Sequence, residues 1–339
     1  MQLPIIENPW IQTYQIRNFE LGILQEKKPW IYGKYINCCC NKKSFSHCIN
    51  SHGRFFSLEN AMLIQKFKFD RSIFDIGILD FVEFTKNLVD CQWYVMGDFD
   101  EYHITCKEAY HLYHFRHWAL VYGYDEQSEL FYLVGYVKGG KYQKYTMSFD
   151  EFVNAINVNF DKEKEKYIKK NINRIELYAV KINPEYEFKF DLCDVYIGIT
   201  DYLHSTDSYE RDAEKSYGIE CEQKFIEYIL DTSKSSRSID VRFSRLFMEL
   251  KDIMVHRINY LVSVKVVSSD LVAQYENIAK KQTTVHLLCI KYNITRDDSI
   301  LLRITSIIKE IIAMEQEVLP KLCNEIYTEI KNEWKERYY

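Results

Sequence analysis

Trp118-Ala119-Leu120-Val121-Tyr122-Gly123-Tyr124, Leu130-Phe131-Tyr132-Leu133-Val134-Gly135-Tyr136 and Tyr142-Gln143-Lys144-Tyr145-Thr146 are three runs rich in aromatic and β-branched residues. Asp125-Glu126-Gln127-Ser128 and Lys138-Gly139-Gly140-Lys141 separate them with turn-forming residues. Together they predict a three-strand meander between Phe115 and Thr146.

Upstream of the meander, Ile78, Phe81, Val82, Leu88 and Val89 recur at helical spacing between about Ile76 and Asp90. Gln92-Trp93-Tyr94-Val95-Met96 then switches to a strand-like run, so a helix feeds a central strand. Nearer the amino terminus, Phe19, Leu21, Ile23 and Leu24 predict one or two helical turns within Asn18 to Gln25, stopped by Pro29. Trp30 to Cys40 is rich in strand formers and predicts a strand.

Downstream, Ser148 and Glu151 have capping-box spacing ahead of Phe152, Val153 and Ile156, which predicts a short helix. Asp161 to Lys170 is a solvated charge run, and Ile175 to Val180 a further strand. Beyond residue 191 the apolar spacing is helical: Leu192 to Leu203, Ile219 to Leu230, Val241 to Val262, Asp270 to Tyr292 and Asp297 to Trp334. Ser233 to Ser236 reads as a connecting loop, and Pro320 should kink or divide the last helix. The expected class is α+β: an α/β domain over residues 1–190 on an antiparallel sheet, then a helical domain over 191–339.

A chain of 339 residues exceeds what one core usually organises, in keeping with two domains. Hydrophobic residues at 47% and charged residues at 27% describe an ordinary globular protein, and a net charge of −5 gives no footprint for nucleic acid. No apolar stretch is long enough for a bilayer span, and Met1 to Glu7 lacks the pattern of an export signal. Ten cysteines without framework spacing then read as reduced thiols, so the expected location is cytoplasmic, with neither membrane nor nucleic acid as a partner.

The candidate chemistry lies just before the meander. His111, His114 and His117 lead into its first strand, where residues three apart face opposite sides, so His114 and His117 should point apart. His117 is either a strand-end histidine bonded to backbone or a general base whose second nitrogen is oriented by an acid, with Asp150 or an acid on the neighbouring strand as candidates. Asp98, Asp100 and Glu101 form an acidic group that could hold an amine or be solvated loop acids. Cys38-Cys39-Cys40 with His47, Cys48 and His52, and His103, Cys106, His111 and His114, are two local groupings of soft ligands. Neither has the paired spacing of a zinc site, so no metal is expected, and no nucleotide-binding glycine loop calls for a cofactor.

The run His114 to Asp125, preceded by Asp100-Glu101-Tyr102 and followed by Gly135-Tyr136 and Ser148-Phe149-Asp150-Glu151-Phe152, resembles the papain-like proteins related to the amino-terminal domain of the butirosin-biosynthesis acyltransferase. The resemblance covers most of residues 1–190, and parts of 217–260 resemble the carboxy-terminal region of such proteins. It implies a papain-like antiparallel-sheet domain followed by a helical bundle. It also implies acyl transfer or amide-bond formation from a carrier-protein thioester in peptide natural-product biosynthesis. The partners would be an acyl or peptidyl carrier protein and a small-molecule amine.

His117 carries over as the base, and Asp150, from the reading of the residues above, is the acid set beside it. Asp100, Glu101, Tyr102 and His114 would bind substrate. The family's nucleophile is a Cys at the start of the first helix, and this chain has none in Asn18 to Leu24. Cys40 is the candidate in its place, against a structural role for Cys38, Cys39, Cys40 and Cys48. The alternative is a non-catalytic binding protein that keeps the fold and its cleft.

Overall fold

A computed structural model describes residues 1–24, 26–42, 63–70, 80–156, 176–208, 212–235 and 237–338. These divide into two compact units: Met1–Glu26 with Ser57–Glu187, and Lys27–Phe56 with Phe188–Tyr339. The division differs from a single cut near residue 190, because the segment that starts at Lys27 groups with the helical part. His47, Cys48, His52, Ile76, Ile78, Ile175, Ser236 and the charge run 161–170 lie outside the described residues.

The first unit is built on β2 (Ile64–Asp70), β3 (Tyr94–Asp100), β4 (Arg116–Asp125), β5 (Leu130–Val137), β6 (Lys141–Ser148) and β7 (Glu176–Ile182); β1 (Cys39–Asn41) belongs to the second unit. The six strands are ordered β2-β7-β3-β4-β5-β6, with each neighbouring pair antiparallel. The expected meander is β4-β5-β6. Its first turn is drawn tight by Asp125, whose carboxylate accepts from the Gln127 amide at 3.0 Å and the Ser128 hydroxyl at 3.0 Å. Its second turn uses Gly139 and Gly140, both at positive φ.

Strand β2 is an addition. Ile64-Gln65-Lys66-Phe67-Lys68-Phe69 alternates polar and apolar only from Lys66 on, and it pairs only with β7 among the described residues.

Among the described residues, three α-helices accompany this sheet: α1 (Gln15–Leu24), α3 (Phe81–Asp90) and α4 (Phe149–Ile156), with α2 (Lys28–Tyr32) in the second unit. Asp80 caps α3 by accepting from the Glu83 amide at 2.9 Å. The capping box of α4 closes in both directions: the Ser148 amide donates to Glu151 at 2.9 Å, and the Glu151 amide donates to the Ser148 hydroxyl at 3.1 Å. That fixes Phe152 against Phe131 and Phe99, with ring centroids at 4.5 and 5.5 Å, in the core beneath β3 to β5.

In the second unit, Trp30 to Cys40 is not a strand throughout. Pro29 sits in the first turn of α2, where its missing N–H costs nothing, and the helix buries Trp30 and Ile31. Only Cys39–Asn41 is extended; it pairs with β8 (Lys215–Tyr217) in a two-stranded sheet. The helices are α5 (Leu192–His204), α6 (Gly218–Ser235), α7 (Val241–Ser263), α8 (Asp270–Thr295) and α9 (Asp298–Tyr338). Ser233 to Ser235 extend α6 instead of forming a loop, and α9 runs through Pro320 undivided. Gly218, at φ +53°, turns β8 into α6 so close to the Tyr202 carbonyl that a Cβ would collide with it.

All five long helices meet at one buried charge. The Lys251 ammonium donates to Glu222 at 2.5 Å, Glu315 at 2.7 Å and the Tyr202 hydroxyl at 2.7 Å, while the Tyr275 hydroxyl donates to Glu315 at 2.5 Å. Burial pulls the Lys251 ammonium down, but the two carboxylates outweigh it and hold its pKa above the ordinary value. Two carboxyl groups face one ammonium, and burial pushes Glu222 up despite Lys251. The Oε2 atom of Glu222 is buried with no hydrogen-bond partner among the described residues, while its Oε1 accepts from both Lys251 and Tyr202.

Removing the ammonium strands both acids, so Lys251→Met should cost about 3–5 kcal/mol in denaturant unfolding. Glu222 is raised in the folded state, so its contribution is complete below the ordinary glutamate range and declines as pH rises through the raised value. Glu222→Gln should therefore flatten the fall in stability above pH of about 4.3 in a urea titration across pH.

Candidate functional site

Strands β3 and β4 place the site. Their register pairs Asp98 with Trp118, Phe99 with His117 and Asp100 with Arg116, and the Glu101 amide extends the ladder by donating to the Phe115 carbonyl at 2.8 Å. Paired residues share a face and successive residues alternate. Phe99, Glu101, Phe115 and His117 therefore lie on one side, and Asp98, Asp100, Tyr102, His114 and Arg116 on the other. His114 and His117 point apart, as their spacing requires.

On the first side, His117 Nδ1 lies 2.8 Å from Glu101 Oε1. The Glu101 carboxylate is 7% exposed and the imidazole 29%, so the acid is buried and the ring reaches solvent. The ring stacks on Tyr136 at 6.0 Å and meets Phe115 at 5.3 Å. Glu101 is also 3.4 Å from the Lys107 ammonium, which is buried, donates to the Tyr136 carbonyl and faces the Tyr145 ring at 4.6 Å. Burial lowers the Lys107 pKa, and Glu101 works against that fall. The amino end of α1 adjoins this strand: the Gln15 amide donates to the Trp118 carbonyl at 2.9 Å, and the Tyr136 hydroxyl donates to the Gln12 carbonyl.

On the second side, Asp100 is fully buried. Its Oδ2 lies 2.6 Å from His114 Nδ1, and its Oδ1 accepts from the Tyr102 amide at 3.2 Å and the Phe115 amide at 3.1 Å. Tyr102 stacks on His114 at 4.4 Å and contacts His103 and His111 at 5.1 and 5.3 Å.

The carboxylate at His117 is thus Glu101 and not Asp150. Asp150 sits exposed in the first turn of α4, whereas Glu101 is the cross-strand neighbour on the same face. Glu101 is consequently no free acid for an amine, and neither is Asp100, which holds His114. Asp100, Tyr102 and His114 come together, but on the face away from His117. Asp98 faces the Arg116 guanidinium at 3.4 Å.

Cys40 is not brought to His117 within one unit. It is buried in β1 of the second unit, paired with Ser216, beside Cys38 and Cys221. There the Cys221 thiol donates to Ser216 and Cys38 carbonyls at 3.2 and 3.6 Å, and burial pushes it well up, with Cys38 and Cys40 adding to the shift. These are packed thiols. In the first unit, Cys106 is half-buried, and burial raises it as well.

Sequence reasoning missed Lys107 and Tyr136 as supports of the acid and the ring. No local pattern marks them, since each lies on a different element from Glu101. No helix among the described residues is long and apolar enough to cross a membrane. Compared with known proteins, the chain matches no family model and no curated protein.

Proposed function

We propose that the amino-terminal unit is a papain-like acyl-handling domain that transfers an acyl group from a carrier-protein thioester to an amine, with His117 as general base. The observation that carries this reading is the part-exposed His117 ring held at Nδ1 by buried Glu101, 2.8 Å away. A carboxylate at Nδ1 keeps the proton on that nitrogen, leaves the Nε2 lone pair facing outward, and stabilises the imidazolium formed during transfer.

The amine nitrogen attacks the thioester carbonyl; its proton passes to Nε2. The C–N bond forms, the C–S bond breaks, and the imidazolium returns the proton to the leaving thiolate. Glu101 positions the ring through Nδ1. Such a direct transfer requires no enzyme thiol, which suits a first helix whose amino end carries Thr13, Tyr14 and Gln15. The contact of that end with the His117 strand supports the papain-like reading. Tyr113 and Phe115, 54% and 45% exposed, offer apolar surface beside the imidazole for an acyl chain.

That same surface also suits the second reading, a binding protein that docks a carrier or peptide without turnover. The two separate on acyl thioesters of N-acetylcysteamine with an amine acceptor. Transfer predicts amide product, no acyl adduct in the intact mass, and a loss of about 10²- to 10⁴-fold in rate for His117→Ala. Glu101→Gln should lower kcat with KM unchanged. No thioester consumption, combined with carrier-protein binding lost in Phe115→Asp, would instead establish the binding reading. Rates equal in wild type and His117→Ala would remove His117 from the chemistry.

A further inference from the structure

The geometry points to a divalent-metal site on the opposite face of the same strand pair, formed by Asp100, His103 and His114. One donor atom from each of these residues lies within 4.8 Å of the other two. Two imidazoles and one carboxylate are the donor set of zinc and related borderline ions, and three protein ligands leave further positions for water or substrate.

Each donor is already held in place. Both Asp100 oxygens are engaged, Oδ1 by two backbone amides and Oδ2 by His114, so the carboxylate plane is fixed. Tyr102 holds both rings, stacked on His114 at 4.4 Å and edge-on to His103 at 5.1 Å. A divalent ion would take the place of the proton shared between Asp100 and His114, 2.6 Å apart, as those two ligands open slightly around it. The site also gives fully buried Asp100 a cation to balance it. His103 and His114 are at the solvent edge, which provides entry.

This inference is independent of the acyl-transfer reading, which uses Glu101 and His117 on the other side. The test is Co²⁺ binding to the chelator-treated full-length protein, followed by visible d–d absorption and calorimetry. One Co²⁺ per chain, displaced by Zn²⁺, is expected, with affinity weakened by more than about 100-fold in both His103→Gln and His114→Gln while circular dichroism is unchanged. In the wild type alone, Zn²⁺ should protect His103 and His114, but not exposed His204, from diethyl pyrocarbonate read by peptide mass spectrometry. Absence of a Co²⁺ spectrum in the wild type, retention of it in either variant, or no protection of the two histidines would overturn the assignment.

Discussion

Two consecutive carboxylates, Asp100 and Glu101, are buried where β3 ends, and neither can stay there ionised without partners. That constraint shapes the region. Because adjacent residues of a ladder face opposite sides, the two acids cannot share a partner, and each takes a histidine from β4 or its lead-in. Lys107 then turns inward on the Glu101 side, and two backbone amides satisfy Asp100 on the other. The segment between Glu101 and His114 is irregular because it supplies these groups. Successive turns close it on itself, and backbone bonds from Glu101 to Phe115 and from Lys138 to Cys106 tie it to the sheet alongside those side chains.

The second unit obeys the same rule with opposite sign. Lys251 and Arg257 are buried cations one face apart on α7. Lys251 binds side chains of three of the other long helices, and the fourth joins through Tyr275, which donates to Glu315. Arg257 donates to the carbonyls of Tyr32, Lys34 and Tyr35, and burial draws its guanidinium down to about 9, still protonated at neutral pH. Those carbonyls belong to the turn that follows α2 and leads to Cys38, so a helix cation organises the approach to β1. Here is the physical reason that Cys38 to Cys40 group with the helical unit: their backbone is paired with β8, and the turn before them is held by α7. The cysteine run held this way is buried.

The sequence was legible where one local signal governs. The meander, the Ser148–Glu151 box, the helix before β3 and all five long helices follow from periodicity and turn chemistry, because each satisfies its own backbone. Trp30 to Cys40 was misread because aromatic and β-branched residues bury equally well in a short helix, and Pro29 decided for helix at its first turn. Pro320 does not divide α9, where the apolar residues on either side, Val318, Leu319 and Leu322, are all buried. At the site, the separation of His114 from His117 was legible from parity alone. The identity of the acid was not: Glu101 and Asp150 differ in distance along the chain, and only the β3–β4 register shows which one reaches the ring.

That register carries both faces at once. A slip of one residue between β3 and β4 would carry every side chain of one strand to the wrong side, placing Asp100 where Glu101 now meets His117. What prevents the slip is apolar. Phe99 packs on Phe152, Phe152 on Phe131, and Phe131 on Phe149, a stack that fits one alignment and is anchored by the reciprocal cap of α4. The polar pairs are satisfied in that same alignment and would be orphaned in its neighbours, so packing and charge select one register together. Positioning two acid–histidine pairs at the ends of a strand pair, with Asp100 and His117 on the strands themselves and Glu101 and His114 just beyond them, ties each to the core beneath, which is the condition that either general-base chemistry or metal ligation requires.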